Sequence, residues 1–165
     1  MRSALVFTLL AAPANAACQG DDVFSCTIGT KTLEICHSNG DLVYSFGPET
    51  KSELTLSEPL ETVDYVPWSG WGRNRFYTVT FQNNGFAYEV WSGFDRIGEP
   101  SGKDGGVTVR DGSTTVTDLT CDRASVTREL DFIGDLKSDI GQCFDQKLYS
   151  WRDGPCGRNP EFCAC

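Results

Sequence analysis

Two short copies of one motif, Trp-Ser-Gly-aromatic-x-Arg, occur at positions 68–73 and 91–96. Tryptophan and arginine are the side chains that most often dominate protein interfaces, and a flat aromatic face can also stack on a sugar ring. The two copies therefore predict a binding surface. Its expected contact residues are Trp68, Trp71, Arg73, Trp91, Phe94 and Arg96.

A structural role is the alternative for both copies. A tryptophan beside glycine in a β protein often closes the end of a barrel, with an arginine stacked over the ring. The two roles are compatible, because one tryptophan can belong to the core while another is exposed. Trp68 and Trp71 lie in a glycine-rich loop, so we expect these two rings to be the exposed ones.

Catalytic groups are sparse in this sequence. A nucleophilic serine or cysteine usually works with a histidine base, and the chain has one histidine, His37, which we expect to be exposed at the start of a Ser-Asn-Gly turn. Two carboxylates would suffice for a glycosidase, but no motif marks a pair for that role. We therefore expect a protein that is not an enzyme and has no cofactor, with a carboxylate-based hydrolase as an alternative.

The first residues have the pattern of an export signal. Met1-Arg2 supplies positive charge, residues 4–12 are apolar and Ala14-Asn15-Ala16 has the form of a cleavage site, so we expect residues 1–16 to be a signal peptide. No later segment is long and apolar enough to insert into a membrane. The residues before Cys18 lack the aliphatic side chain of bacterial lipid-attachment signals. We expect a periplasmic protein, or a secreted one, rather than a lipoprotein.

Eight cysteines follow the predicted cleavage site. An even number in an exported chain predicts disulfide bonds, and the lack of any Cys-x-x-Cys pair argues against a zinc site. Spacing leaves the pairing open, except that the helix expected between Cys121 and Cys143 would hold these two apart. The eight are Cys18, Cys26, Cys36, Cys121, Cys143, Cys156, Cys163 and Cys165.

The chain is acidic, with 14 Lys and Arg against 23 Asp and Glu. Removing residues 1–16 takes away Arg2 alone among these, which leaves 13 against 23 and a formal net charge of −10. Nucleic acids and anionic membrane surfaces select a basic face, so neither is an expected partner. The charge suits a basic protein or a glycan as partner, or it simply keeps an exported protein soluble.

The segment between the two motif copies predicts a β-hairpin. Asn83-Asn84-Gly85 supplies residues that tolerate the positive φ of a tight turn. The hairpin brings both motif copies to the same edge of the sheet, away from the turn. One face of the hairpin is mostly polar, and it carries Phe76 and Trp91 at this edge. The residues expected to face the core are Tyr77, Val79, Phe81, Phe86, Tyr88 and Val90.

Short strands joined by turn residues make up most of the chain before residue 121. We expect a mainly β domain over 17–141, an antiparallel sandwich or small barrel of about seven or eight strands. Apolar residues at near-helical spacing then predict one C-terminal amphipathic helix from Ser125 to Ile140, ended by Gly141. Residues 142–165 are expected to form a cysteine-rich tail tied down by disulfide bonds.

Three short patterns occur together in this chain: Phe24-Ser25-Cys26; Ser69-Gly70 followed by Arg73 and Phe76-Tyr77; and Phe81…Gly85…Ala87. In this combination the chain resembles the exported bacterial inhibitors of animal-type lysozyme, which are small disulfide-bearing antiparallel barrels, and overall it is similar to exported proteins of proteobacteria. It departs from the inhibitors by its inserted Trp71-Gly72, by Gln82, and by the late helix and tail. The resemblance implies that Ser69 and Arg73 contact the partner.

These patterns predict an exported, non-catalytic binding protein, an envelope inhibitor or protective protein that acts against a basic hydrolase such as lysozyme. The alternative is a carbohydrate-binding module that uses the surface tryptophans Trp68, Trp71 and Trp91. The exposure of these rings decides which of them are available to a ligand.

Overall fold

Three antiparallel sheets and one short helix make up the described part of the chain, residues 20–97 and 102–154 of a computed structural model. The first sheet contains, in chain order, β1 (Asp21–Ile28), β2 (Lys31–Ser38), β3 (Asp41–Gly47) and β4 (Leu54–Pro59). The second contains β5 (Asp64–Val66), β6 (Asn74–Asn83), β7 (Phe86–Asp95), β8 (Asp104–Asp111) and β9 (Thr114–Thr120). Helix α1 (Phe132–Asp139) and a small sheet of β10 (Gln142–Asp145) and β11 (Ser150–Asp153) follow.

The central hairpin forms as its turn chemistry predicts. Asn83 pairs with Phe86, so the two turn residues are Asn84 and Gly85, and both have positive φ (51° and 87°). The alternation along β6 and β7 is also confirmed, since Tyr77, Val79, Phe81 and Val90 are buried. Phe86 and Tyr88 are half-buried.

The two large sheets share one hydrophobic core. Apolar residues alternate along the strands of each sheet, and their rings meet across the gap: the ring of Tyr44 on β3 lies 5.5 Å from that of Phe81 on β6. Among the described residues the strand pairing gives two separate sheets, of four and five strands, and no closed barrel. The mainly β expectation is confirmed, and the barrel alternative is not found.

A disulfide bond joins the two sheets. Cys26 on β1 is bonded to Cys121, directly after β9, with 5.8 Å between the Cα atoms and a sequence separation of 95 residues. Closing a loop of that length stabilises the folded state by roughly 4–5 kcal/mol in the chain-entropy estimate. Cys36 and Cys143 are also disulfide-bonded. Cys121 and Cys143 are thus not partners, as predicted; Cys18, Cys156, Cys163 and Cys165 lie outside the described residues.

The helix is shorter than predicted, because it begins at Phe132 and not at Ser125. The Ser125 hydroxyl donates to the carbonyl oxygen of Asp122 (2.7 Å), and the backbone N–H of Thr127 donates to the carbonyl oxygen of Ser25 on β1 (3.0 Å). These residues bond to the edge of the first sheet, and this tertiary pairing replaces the first helical turns. The predicted end is confirmed, since Gly141 follows with φ 83°.

Within the described part of the chain, no helix is long and apolar enough to cross a membrane.

The small sheet β10–β11 docks on the core through a tryptophan that sequence patterns did not place. The Nε1–H of Trp151 donates to the carbonyl oxygen of Tyr65 at 2.7 Å, and the two rings stack with 5.8 Å between centroids. The chain after α1 therefore begins as a hairpin that closes one end of the core.

A buried lysine ties α1 to the segments beside it. Lys137 is fully buried, and its Nζ donates to the carbonyl oxygen of Leu60 (2.7 Å), to that of Glu61 (3.3 Å) and to Oε1 of Gln142 (3.2 Å). Burial lowers the pKa of Lys137 to about 8, against the opposing effect of the Asp64 and Glu61 charges. Three oxygen acceptors are what make a buried ammonium tolerable at this position.

Candidate functional site

The first motif copy lies in the segment that joins β5 to β6, called here the Trp loop (residues 67–73). Gly70 and Gly72 adopt positive φ (84° and 95°), which lets the chain turn sharply on both sides of Trp71. The Nε1–H of Trp68 donates to the carbonyl oxygen of Trp71 at 3.0 Å. The loop is therefore folded back on itself by its own side chain.

An ion pair fixes the end of the Trp loop to the end of β7. Arg73 donates hydrogen bonds to the carboxylate of Asp95 from two nitrogens: Nε lies 2.8 Å from Oδ1, and Nη2 lies 2.5 Å from Oδ2. The backbone N–H of Arg96 donates to the carbonyl oxygen of Arg73 at 3.1 Å. The hydrogen bonds to Asp95 and its charge raise the pKa of Arg73. Loop and strand end thus form one hydrogen-bonded unit.

The two tryptophans of the Trp loop have different environments. Trp68 is half-buried against the core, and its ring lies below two guanidinium groups, that of Arg96 at 4.9 Å and that of Arg75 at 5.6 Å. Trp71 is 73% exposed at the tip of the loop. Trp68 therefore anchors the loop, and Trp71 is the ring available to a partner.

The second motif copy lies within β7, and its residues take part in the pairing and packing of the sheet. The Ser92 side chain is buried, and its Oγ accepts a hydrogen bond from the backbone N–H of Leu130 at 3.0 Å. Gly93 pairs with Phe76, and Phe94 pairs with Arg75. Trp91 stacks on Phe76 with 6.0 Å between ring centroids. The second copy is thus part of a regular strand, with a serine that satisfies a buried amide.

The six aromatic and arginine residues lie towards one edge of the sheet, on both of its faces. Phe94 lies on the same face of β7 as the buried Val90, whereas Trp91 lies on the opposite face, because successive residues of a strand alternate between faces. The edge therefore carries two aromatic groups. One is Trp68 with Arg75 and Arg96, and the other is Trp91 with Phe76.

Ser69 is exposed beside the Trp71 tip. Its carbonyl oxygen accepts a hydrogen bond from Nε2 of Gln146, in the turn between β10 and β11, at 3.5 Å. That turn also exposes the apolar side chains of Leu148 and Tyr149. The C-terminal hairpin therefore lies next to the Trp loop and widens the apolar surface around it.

Sequence patterns missed three residues that shape this site: Asp95, Glu129 and Gln146. Asp95 could have been found from the hairpin register, since it pairs with Asn74, the neighbour of Arg73. Glu129 lies 3.9 Å from Arg75 (Oε2 to Nη1) and is reached only through the tertiary fold, as is Gln146.

The single histidine and the glutamate with a raised pKa both lie on β2, away from the Trp loop. His37 is half-buried near the end of β2, and not exposed in the following turn as expected; its Nε2 has no hydrogen-bond partner among the described residues. Burial, and then the charge of Asp22, raise the pKa of Glu34, which also lies on β2 in the other sheet. In the described part of the chain, no group of three or more His, Cys, Asp or Glu side chains is placed to hold a metal ion.

Comparison of the chain with protein-family models, with curated proteins and with solved structures gave no match.

Proposed function

We propose that this chain is an exported, non-catalytic binding protein that inhibits a basic hydrolase of the lysozyme kind, using the Trp loop as its recognition element. The observation that carries the proposal is the exposure of Trp71 at the tip of a loop whose two ends are held by hydrogen bonds. The sequence resemblance to lysozyme inhibitors supports the choice of partner.

A loop that is already ordered in the free protein favours tight binding. Ordering a flexible loop on association costs free energy, and a loop that is already ordered avoids that cost. The Trp68–Trp71 hydrogen bond and the Arg73–Asp95 pair provide this order in the free protein. Tryptophan is also among the residues that most often dominate an interface when they enter a pocket on the partner. Trp71 is thus the expected anchor.

The distribution of charge supports a basic hydrolase. The protein is acidic overall, which attracts a basic partner over long distance. Close to Trp68 and the loop end, the three arginines Arg73, Arg75 and Arg96 outnumber the two carboxylates beside them, Asp95 next to Arg73 and Glu129 next to Arg75. Glycoside hydrolases carry a pair of carboxylates in the catalytic cleft, and guanidinium groups are well suited to bind carboxylates. The acidic surface of this protein would face the basic outer surface of the hydrolase, and the arginines near the Trp loop would face the carboxylates in its cleft.

Inhibition of an animal-type lysozyme, measured by the lysis of bacterial cell walls at low ionic strength, tests this function. We expect one protein molecule to inhibit one lysozyme molecule, and the inhibition to weaken as salt is added, because screening reduces the attraction between the two charged surfaces. Replacing Arg96 by Glu is expected to weaken inhibition. The matched variant Arg110→Glu, at a half-buried arginine of β8 that pairs with Glu89, is expected to leave it unchanged. Full lysozyme activity in the presence of excess protein would contradict the proposal.

A further inference from the structure

The outer face of the five-stranded sheet, the face away from the core, carries a second candidate site. A cavity of about 340 Å³ lies there across β6, β7 and β8. The strand register places six of its eight lining residues on this one face, since Asn74 pairs with Asp95, Phe76 with Gly93, and Gly93 with Asp104; Arg75 and Phe94 also line the cavity. Trp91 lies on the same face, two residues before Gly93.

Two aromatic rings on this face lie beside glycines of the neighbouring strands. Trp91 pairs with Gly106, and a β-carbon built on Gly106 would lie 2.9 Å from Cζ2 of the Trp91 indole. The ring of Phe76 lies beside Gly93, at an ordinary contact distance of 3.7 Å from a β-carbon built there. The two rings are within 21° of parallel, with centroids 6.0 Å apart. They form an aromatic platform, of which Phe76 is 51% exposed.

Carboxylates flank the aromatic platform. Asp104, which is exposed, and Asp95, which is paired with Arg73, line the cavity together with Arg75, and Asn74 adds an amide. A flat aromatic surface can stack on a nucleobase or on the apolar face of a sugar ring. Acidic side chains repel the phosphates of a nucleic acid, whereas they accept hydrogen bonds from sugar hydroxyls. Because Arg73 pairs with Asp95 and Arg75 lies 3.9 Å from Glu129, Asp104 is the carboxylate in excess at this site, and the combination favours a neutral saccharide over an anionic ligand.

We propose that the cavity formed by Phe76, Trp91, Asp95 and Asp104 binds a neutral oligosaccharide, with a sugar ring stacked on the aromatic platform. The volume is within the usual range of small-molecule pockets, roughly 300–1,000 Å³. The site does not include Trp71, so a loss of saccharide binding and a loss of hydrolase inhibition can be told apart.

The test is a titration, by calorimetry and by tryptophan fluorescence, with three neutral tetrasaccharides: β-1,4-linked N-acetylglucosamine, β-1,4-linked glucose and α-1,4-linked glucose. The acidic tetrasaccharide of galacturonic acid serves as the charged probe. We expect at least one neutral tetrasaccharide to bind, and the acidic one to bind at least about tenfold more weakly. Absence of binding by all three neutral probes, or equal binding of the acidic probe, would overturn the proposal.

Variants locate the binding. Phe76→Ala is expected to weaken it by about tenfold or more through loss of the stacked ring, and Asp104→Asn to weaken it less. Trp71→Ala, which removes a more exposed ring elsewhere, is expected to leave saccharide binding unchanged. Unfolding temperatures identify any variant that is not folded, and because Asp104 is exposed, its variant is informative even if Phe76→Ala proves unstable. Saccharide binding that survives both cavity variants, or that is lost in Trp71→Ala, would contradict this site.

Discussion

The two Trp-Ser-Gly copies have the same residue pattern and different structures. In the first copy Gly70 has a positive φ and Ser69 is exposed, so the chain leaves the sheet and presents Trp71. In the second, Ser92 is buried and Gly93 lies within β7. The copies differ because the second is paired on both sides, with β6 and with β8. The first copy lies before Asn74, the first residue of β6 that pairs with β7. A repeated motif therefore predicts a repeated structure only where the pairing around it is also repeated.

The largest effect is expected where the second copy is held in the sheet. Gly106→Ala would place a β-carbon 2.3 Å from the carbonyl oxygen of Leu119 and 2.9 Å from the Trp91 ring, so backbone and ring must both move. We expect the free energy of unfolding to fall by about 3 kcal/mol or more. Gly102→Ala, where a β-carbon has open space, is the control and should change little. Chemical denaturation measures both, and equal stability of the two variants would contradict the close packing of Trp91.

The next largest difference in unfolding free energy is expected between alanine variants of the two serines, Ser92 and Ser69. Ser92→Ala leaves the backbone N–H of Leu130 without its acceptor in a buried place, which we expect to cost about 1–3 kcal/mol of unfolding free energy. Ser69→Ala changes an exposed side chain and should stay within about 0.5 kcal/mol. If denaturation showed equal effects at the two positions, the buried role of Ser92 would be wrong.

The two glycines give a smaller contrast of the same kind. Gly70→Ala forces a β-carbon into the left-handed region, and we expect it to destabilise the protein by about 1–2 kcal/mol. Gly93→Ala meets only ordinary contacts, 3.6 Å and beyond, and lies in an extended strand. Since alanine also restricts the unfolded chain, Gly93→Ala should be neutral or slightly stabilising. A loss of stability at Gly93 and none at Gly70 would reverse the assignment.

The smallest effect is expected for the ion pair at the loop end. Arg73→Gln removes the ion pair with Asp95, and because the Arg73 side chain is exposed we expect the unfolding temperature to stay the same. Hydrogen exchange of the backbone amides of Gly70 and Trp71 should become faster, since the loop loses one of its anchors. The control is Arg110→Gln, which breaks a comparable ion pair with Glu89 away from the loop. Unchanged exchange in Arg73→Gln would show that this pair does not order the loop.

Much of the fold could be predicted because local patterns decide it. The Asn84-Gly85 turn and the alternating residues of β6 and β7 specify the hairpin without help from other parts of the chain. The start of the helix could not be predicted, because the segment around Ser125 bonds to β1 through contacts about 100 residues apart in sequence. The hairpin β10–β11 has short strands and no glycine in its turn, where Tyr149 adopts the positive φ of 54°.

The site could be predicted only as a set of residue types at one edge. Strand alternation already implies that Trp91 and Phe94, three positions apart, face opposite sides of β7. The partners Glu129 and Gln146 come from distant segments, and no local pattern marks them. Trp68 and Trp71 were both predicted to be exposed. Trp71 is exposed, and Trp68 is half-buried below two arginines.

The most direct measurement is the inhibition constant for animal-type lysozyme of two variants that change the same position of the two copies, Trp71→Ala and Phe94→Ala. We expect Trp71→Ala to lose inhibition by about 30-fold or more, as for an interface residue worth at least about 2 kcal/mol, with an unchanged unfolding temperature. Phe94→Ala should lower the unfolding temperature and inhibit as the original protein does, per folded molecule. Equal inhibition by Trp71→Ala and the original protein would contradict the recognition role of the Trp loop.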